Sequence, residues 1–125
     1  MLAAPMNIKW ENSVYDFAVQ GGSVGTIVLP AGALVSPNSI VYYALANTTT
    51  DLVGVGASVG FELSGGGTLI TTQVIANYNG PVKLNSTPGL LATVVAGENI
   101  SIVIAGADLT AGVVIICLGI LEFNN

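Results

Sequence analysis

The chain has no long apolar segment. Its longest uninterrupted run is Ala111 to Leu121, closed by Glu122, and every other run is shorter and is broken by Gly, Asn, Ser or Thr. A membrane-spanning helix needs about 20 apolar residues in succession, so this run is too short to be one. Its Val and Ile content favours extended backbone. No window holds a period of 3.6 residues, whereas several hold a period of two. Short apolar runs punctuated by turn residues predict an all-β chain, a sandwich or a barrel. With 125 residues it is read as a single domain. A chain of this length buries enough surface to fold without a disulfide or a metal.

Alternation places the strands. The least patterned stretch is residues 1–13, which read as an N-terminal arm preceding a β domain at 14–125. Strands are expected at Val14 to Val19, Val24 to Leu29, Ser39 to Ala46, Ala57 to Leu63, Thr68 to Ala76, Asn99 to Ala105 and Val113 to Phe123. The segment from Thr68 also fits one or two helical turns, but its Thr, Ile and Val favour the strand. Val82 to Leu84 and Leu90 to Val95 are shorter apolar pieces. Loops or turns are expected at Gln20 to Ser23, at Pro30 to Asn38 (with Leu34 and Val35 able to plug into the core), at Asn47 to Val53, at Ser64 to Gly67, at Asn85 to Gly89 and at Gly106 to Gly112.

The last strand is apolar on both sides. Val114, Ile116, Leu118 and Ile120 share one face, and Val113, Ile115, Cys117 and Leu121 the other. A sandwich strand with one face in water should alternate. Either a segment of the same chain or another subunit therefore covers its second face.

Charge excludes several functions. Charged residues are 7% of the chain, against about 25% in ordinary soluble domains. The formal net charge is -5, and the only basic residues are Lys9 and Lys83. Nucleic-acid binding needs clustered Lys and Arg to neutralise phosphates. Neither nucleic acid nor an anionic membrane is an expected partner. Mean hydropathy is high at +0.78, which, without a spanning segment, points to a surface covered by protein. Met1 to Asn7 has no Lys or Arg, so no secretory leader is expected.

Catalytic machinery is sparse. Histidine is absent, which removes the commonest general base and metal ligand. The lone Cys117 reads as a small buried hydrophobe and leaves no thiolate zinc set. The glycine stretches Gly21 to Gly25 and Gly65 to Gly67 lack the Lys-Ser or Lys-Thr of a phosphate loop. Asp16, Glu62, Asp108 and Glu122 could hold an acid–base pair, but their spacing does not suggest one. No catalytic residue, metal or cofactor is expected, and the chain is read as a non-enzyme.

The run Gly21-Gly22-Ser23-Val24-Gly25-Thr26-Ile27-Val28-Leu29-Pro30-Ala31-Gly32-Ala33-Leu34-Val35 resembles the opening of small structural proteins of tailed bacteriophages. So do the Thr-rich turn Thr48 to Thr50, the strand around Ser58 to Leu63, and Leu109-Thr110-Ala111-Gly112 before an apolar strand. The resemblance covers roughly residues 20 to 123; the chain departs from it by being poorer in charge. It implies a capsid cement or decoration protein, an antiparallel jelly-roll-like sandwich of about eight strands. Such a protein is made in the host cytoplasm. It oligomerises as a dimer or trimer, sits on the outside of the shell and clamps neighbouring major capsid proteins.

The expected protein interface comprises Leu2, Met6, Ile8 and Trp10 of the arm and Val114, Ile116, Leu118 and Ile120 of the last strand. A competing reading is a phage-tail receptor-binding or fibre module that recognises a host glycan, with Trp10, Tyr42, Tyr43 and Tyr78 as stacking rings.

Overall fold

The computed structural model describes residues 6–30, 39–65, 67–79, 84–85, 92–94 and 98–123. Nine strands lie among them: β1 (Met6–Asp16), β2 (Gly25–Val28), β3 (Ser39–Val53), β4 (Ser58–Leu63), β5 (Thr68–Val74), β6 (Leu84–Asn85), β7 (Ala92–Val94), β8 (Ile100–Ala105) and β9 (Ala111–Phe123). A single helical turn, α1 (Phe17–Gln20), follows β1, and a 3-10 turn (Ile75–Asn77) follows β5. All strand pairs are antiparallel.

The pairing is nested. β1 pairs with β9, β2 with β8, β3 with both β6 and β7 along one edge, and β4 with β5. Rolling up such a nested set of pairs gives two packed sheets, in the orders β1-β9-β3-β6 and β2-β8-β4-β5. This is the double-sheet arrangement of a jelly roll. The core lies between the sheets. Val41, Ala44, Ala46, Leu52 and, from β9, Val114, Ile116, Leu118 and Ile120 meet Val59, Phe61, Leu63, Ile100, Ile102 and Ile104, all at 3% exposure or less. Burial of each large aliphatic side chain contributes about 1.5–3 kcal/mol.

Three expectations need correction. The arm does not end at residue 13 as a separate piece, because β1 pairs with β9 from Met6↔Phe123 to Asp16↔Val113 without a break. Backbone bonding to a long apolar neighbour extends the short alternation of Ile8 to Asn12 into a full strand. The strand expected as far as Val19 stops at Asp16. The Asp16 carboxylate accepts from the Ala18 amide at 2.9 Å, and the Asp16 amide donates to Gln20 Oε1 at 2.6 Å. These local bonds turn Phe17–Gln20 into helix against an alternation that suited a strand. Finally, β3 runs through the expected turn at Asn47 to Val53. The three consecutive threonines stay extended, and register shifts after Thr48 and Thr50 absorb the bend. Leu34, Val35, Lys83 and the loop at 86–89 lie outside the described residues.

One end of the sandwich is tied by main-chain bonds. The Leu109 amide donates to the Gly22 carbonyl at 2.7 Å, and the Thr110 amide to the Val53 carbonyl at 2.7 Å. The Val24 amide donates to the Asp108 carboxylate at 2.8 Å. The loops at residues 21–24, 53–57 and 106–110 are thereby held together. A Cβ at Gly22 would stand 2.3 Å from the Leu109 carbonyl oxygen, so only glycine admits this approach. Three of the segments that carry the phage resemblance meet here: the glycine run from Gly21, the end of the Thr-rich strand, and Leu109-Thr110.

Candidate protein-contact face

Strand register fixes which residues share the outer side of the β1-β9-β3 sheet. Reading across the three strands, the rows are Ile8–Leu121–Ile40, Trp10–Gly119–Tyr43, Asn12–Cys117–Leu45 and Val14–Ile115–Asn47. None of these positions carries a charge. Ile8 is 63% exposed, Trp10 62% and Val14 39%, on a strand where a solvated face would ordinarily be polar. The β9 members of the rows are half-buried between their neighbours, apart from Gly119, which is buried.

An aromatic cluster marks the second row. Trp10 meets Tyr42 at 6.2 Å and Tyr43 at 6.1 Å between ring centroids, both edge-on. The register shift between Val41 and Tyr43 brings both tyrosines to the tryptophan. A Cβ at Gly119 would lie 2.9 Å from the Tyr42 ring and 3.1 Å from the Trp10 ring. The missing side chain is what lets both rings lie over the central strand.

Two charges of β1 point the other way, and its third, Asp16, stands at the end of the strand beyond the last row. Lys9 and Glu11 alternate with Ile8, Trp10 and Asn12, and the Lys9 ammonium lies 2.8 Å from Glu11 and 3.8 Å from Glu122. The hydrogen bond to Glu11 holds the Lys9 pKa above its ordinary value. On the outer side of the second sheet, the corresponding rows are Thr26–Val103–Gly60 and Val28–Ser101–Glu62. These mix two valines, of which Val28 is exposed, with Thr26, Gly60, Ser101 and the Glu62 carboxylate. The two outer surfaces differ in that the four rows of the first hold large apolar and aromatic side chains and no charge, whereas those of the second include a carboxylate.

The expected interface residues divide. Ile8 and Trp10 lie on this face. Met6 opens β1, opposite Phe123, and Leu2 lies outside the described residues. Val114, Ile116, Leu118 and Ile120 do not belong to an interface. They are at most 1% exposed and fill the core between the sheets. The β9 residues that do face outward are Ile115, Cys117 and Leu121. The choice between its two faces could not be made from β9 alone, since both are apolar. The members that went unrecognised, Val14, Ile40 and Leu45, become visible only when the register with β1 and β3 is known. Tyr78 is not a stacking ring. It is 1% exposed, packs edge-on against Phe61, and its hydroxyl donates to the Val59 carbonyl at 2.8 Å.

Three of the four carboxylates considered for acid–base work have structural contacts. Asp16 caps α1, Asp108 holds Val24, and Glu122 lies near Lys9. Among the described residues, no three His, Cys, Asp or Glu side chains cluster so as to hold a metal ion.

No protein-family model matches the chain, and no curated protein does. Solved structures do match. A chain of the cyanophage Pam1 capsid asymmetric unit superposes with a TM-score of 0.72 at 19% identity, covering 98% of this chain and 93% of that one. A chain of the Ralstonia phage GP4 capsid gives 0.68 at 12% identity, covering 98% and 88%. A chain of the acid-stable capsid of Helicobacter pylori bacteriophage KHP30 gives 0.64 at 9% identity, covering 95% and 93%. At these identities the shared property is the fold, and it extends over nearly the whole of each chain.

Proposed function

We propose that this chain is a structural, non-enzymatic protein of a tailed-phage virion that sits on the outside of the capsid and clamps neighbouring major capsid proteins. The observation that carries this reading is the uncharged outer face of the β1-β9-β3 sheet. An exposed apolar surface of that extent marks a place where protein meets protein. The full-length likeness to chains from three phage capsids supports the head of a virion as its setting.

A clamp must hold more than one neighbour. The contact surfaces we assign to it are the outer face, with Ile8 and Trp10, and the N-terminal end, with Leu2 ahead of β1 and Met6 at its first position. Many symmetry-related copies on a shell give avidity, so each contact can be weak.

The test is co-sedimentation with purified shells that lack the protein. Deletion has to stop at residue 5, because residues 6–12 belong to β1 and their loss would strip the sheet edge. The chain lacking residues 1–5 should fold with an unchanged circular dichroism spectrum and bind shells about tenfold more weakly, the effect of losing about 1.4 kcal/mol of contact. Unchanged binding would remove the N-terminal segment from the interface. Failure of the intact chain to bind shells would remove the capsid role.

The Trp10–Tyr42–Tyr43 cluster favours a second reading, a tail module that stacks a host-surface glycan on those rings. Binding on a glycan array that is lost in Trp10→Ala would support it over the capsid role.

A further inference from the structure

We infer that Glu62, Ser101 and Asn99, on the outer side of the second sheet, form a site for a hard divalent cation of the calcium class. The inference does not depend on the contact face of the first sheet.

Unpartnered oxygens mark the place. Among the described residues, the buried side-chain oxygens without a hydrogen-bond partner are Thr48 Oγ1, Asn99 Oδ1 and Ser101 Oγ. The last two stand two residues apart on one stretch of chain. Ser101 is fully buried, so bulk water does not satisfy its hydroxyl. A buried oxygen left without a partner costs free energy, which a bound ion can return.

Strand register brings a carboxylate to these oxygens. Ile100, Ile102 and Ile104 fill the core, so Ser101 faces the other side of β8. Glu62 stands between the core residues Phe61 and Leu63 and is the direct cross-strand partner of Ser101. Directly opposed residues have Cβ atoms about 4.5–5.5 Å apart, close enough for their oxygens to share one ion. The ladder runs one step beyond Ile100. The Ser64 amide donates to the Asn99 carbonyl at 2.8 Å, and the Asn99 amide donates to Ser64 Oγ at 3.0 Å. Asn99 therefore leaves the chain on the same side as Ser101, and Thr68 of β5 flanks Glu62 from the other side. Of the four carboxylates considered for acid–base work, Glu62 is the one with no hydrogen bond or ion pair among the described residues.

The donor set selects the ion. It holds a carboxylate, an amide oxygen and a hydroxyl, with no nitrogen or sulfur ligand, which suits a hard cation. Calcium accepts an irregular shell of neutral oxygens, whereas magnesium demands a near-ideal octahedron and gives up its water reluctantly. With a single carboxylate, the site is not an acidic cluster, and its dissociation constant belongs in the weak range of about 10⁻⁴–10⁻³ M. A formal net charge of -5 raises the local concentration of cations. The bound ion ties the end of β4 to the start of β8, at the end of the sandwich remote from the glycine-tied loops.

Thermal unfolding of the full-length chain, titrated with calcium chloride at constant ionic strength, tests the site. The midpoint should rise by roughly 5 °C at ten times the dissociation constant. Magnesium chloride should raise it less. Glu62→Gln should weaken calcium binding about tenfold, since it removes the charged ligand. Ser101→Ala removes an unpartnered hydroxyl, so without calcium it should be at least as stable as the intact chain, yet gain less from calcium. Asp51→Asn removes an exposed carboxylate of the first sheet and should keep the full response. The inference is overturned by an intact chain that calcium does not stabilise, by equal stabilisation from magnesium, by a Glu62→Gln chain that responds as the intact one does, by a Ser101→Ala chain destabilised without calcium, or by loss of the response in Asp51→Asn.

Discussion

Tyr15 closes the first turn of the fold from inside. Its ring is fully buried, and its hydroxyl donates to the Gly21 carbonyl at 2.6 Å, across the helical turn that follows β1. Burial, together with the nearby Asp16 charge, raises its pKa from 10.0 to about 12. Burial also raises that of Tyr78. A phenol whose folded pKa lies above its unfolded value releases its proton more readily on unfolding. Its contribution is full below pH 10 and is lost as pH rises from 10 to about 12. Urea midpoints of the intact chain should therefore fall between about pH 8 and about pH 11. Tyr15→Phe should be less stable near neutrality, having left a carbonyl without its donor, but its midpoint should depend less on alkaline pH. Equal slopes for the two proteins would contradict the assignment.

At the scale of elements, the glycine-tied end explains why short sequence motifs far apart in the chain belong together. Gly22 lies against the Leu109 backbone, which cannot move aside, whereas Gly119 lies under two rings that can. Gly22→Ala should cost about 1–3 kcal/mol, as overpacking of a fixed site does, and Gly119→Ala clearly less. Chemical denaturation of the two variants checks the order, and a larger loss at Gly119 would show the rings to be fixed.

The same contrast explains what could be read in the sequence. Strands β4 and β8 were legible because their inward residues, Val59–Phe61–Leu63 and Ile100–Ile102–Ile104, alternate cleanly with small or polar ones. The start of β1 was not, because its order comes from pairing with β9. The turn at Phe17 depends on bonds between Asp16, Ala18 and Gln20 that override the alternation. On β3, the shift at Tyr42 sends Val41 inward and Tyr43 outward, so residues two apart do not keep one face there, which simple alternation does not foretell. Ile8 and Trp10, expected as contact residues, are exposed on the sheet's outer side. Val114, Ile116, Leu118 and Ile120 face the core instead, because a strand that is apolar on both sides gives no sign of which side meets the second sheet.

For the whole molecule, the two sides of the sandwich divide the work. The interior is filled by both sheets and accounts for stability. The acids lie off the central rows of the first sheet, with Asp16 at the end of β1 and Glu62 on the second sheet. A surface so arranged is suited to close contact with protein on one side and solvent on the other. The fold is shared over nearly its whole length with chains from three phage capsids, which is why a shell is the setting proposed for that contact. Electron cryomicroscopy of the intact virion tests this most directly. The account predicts density for this sandwich on the exterior of the head, bridging neighbouring major capsid proteins, with the Trp10 face turned into a protein contact. Density confined to the tail, or a Trp10 face open to solvent on an assembled particle, would contradict it.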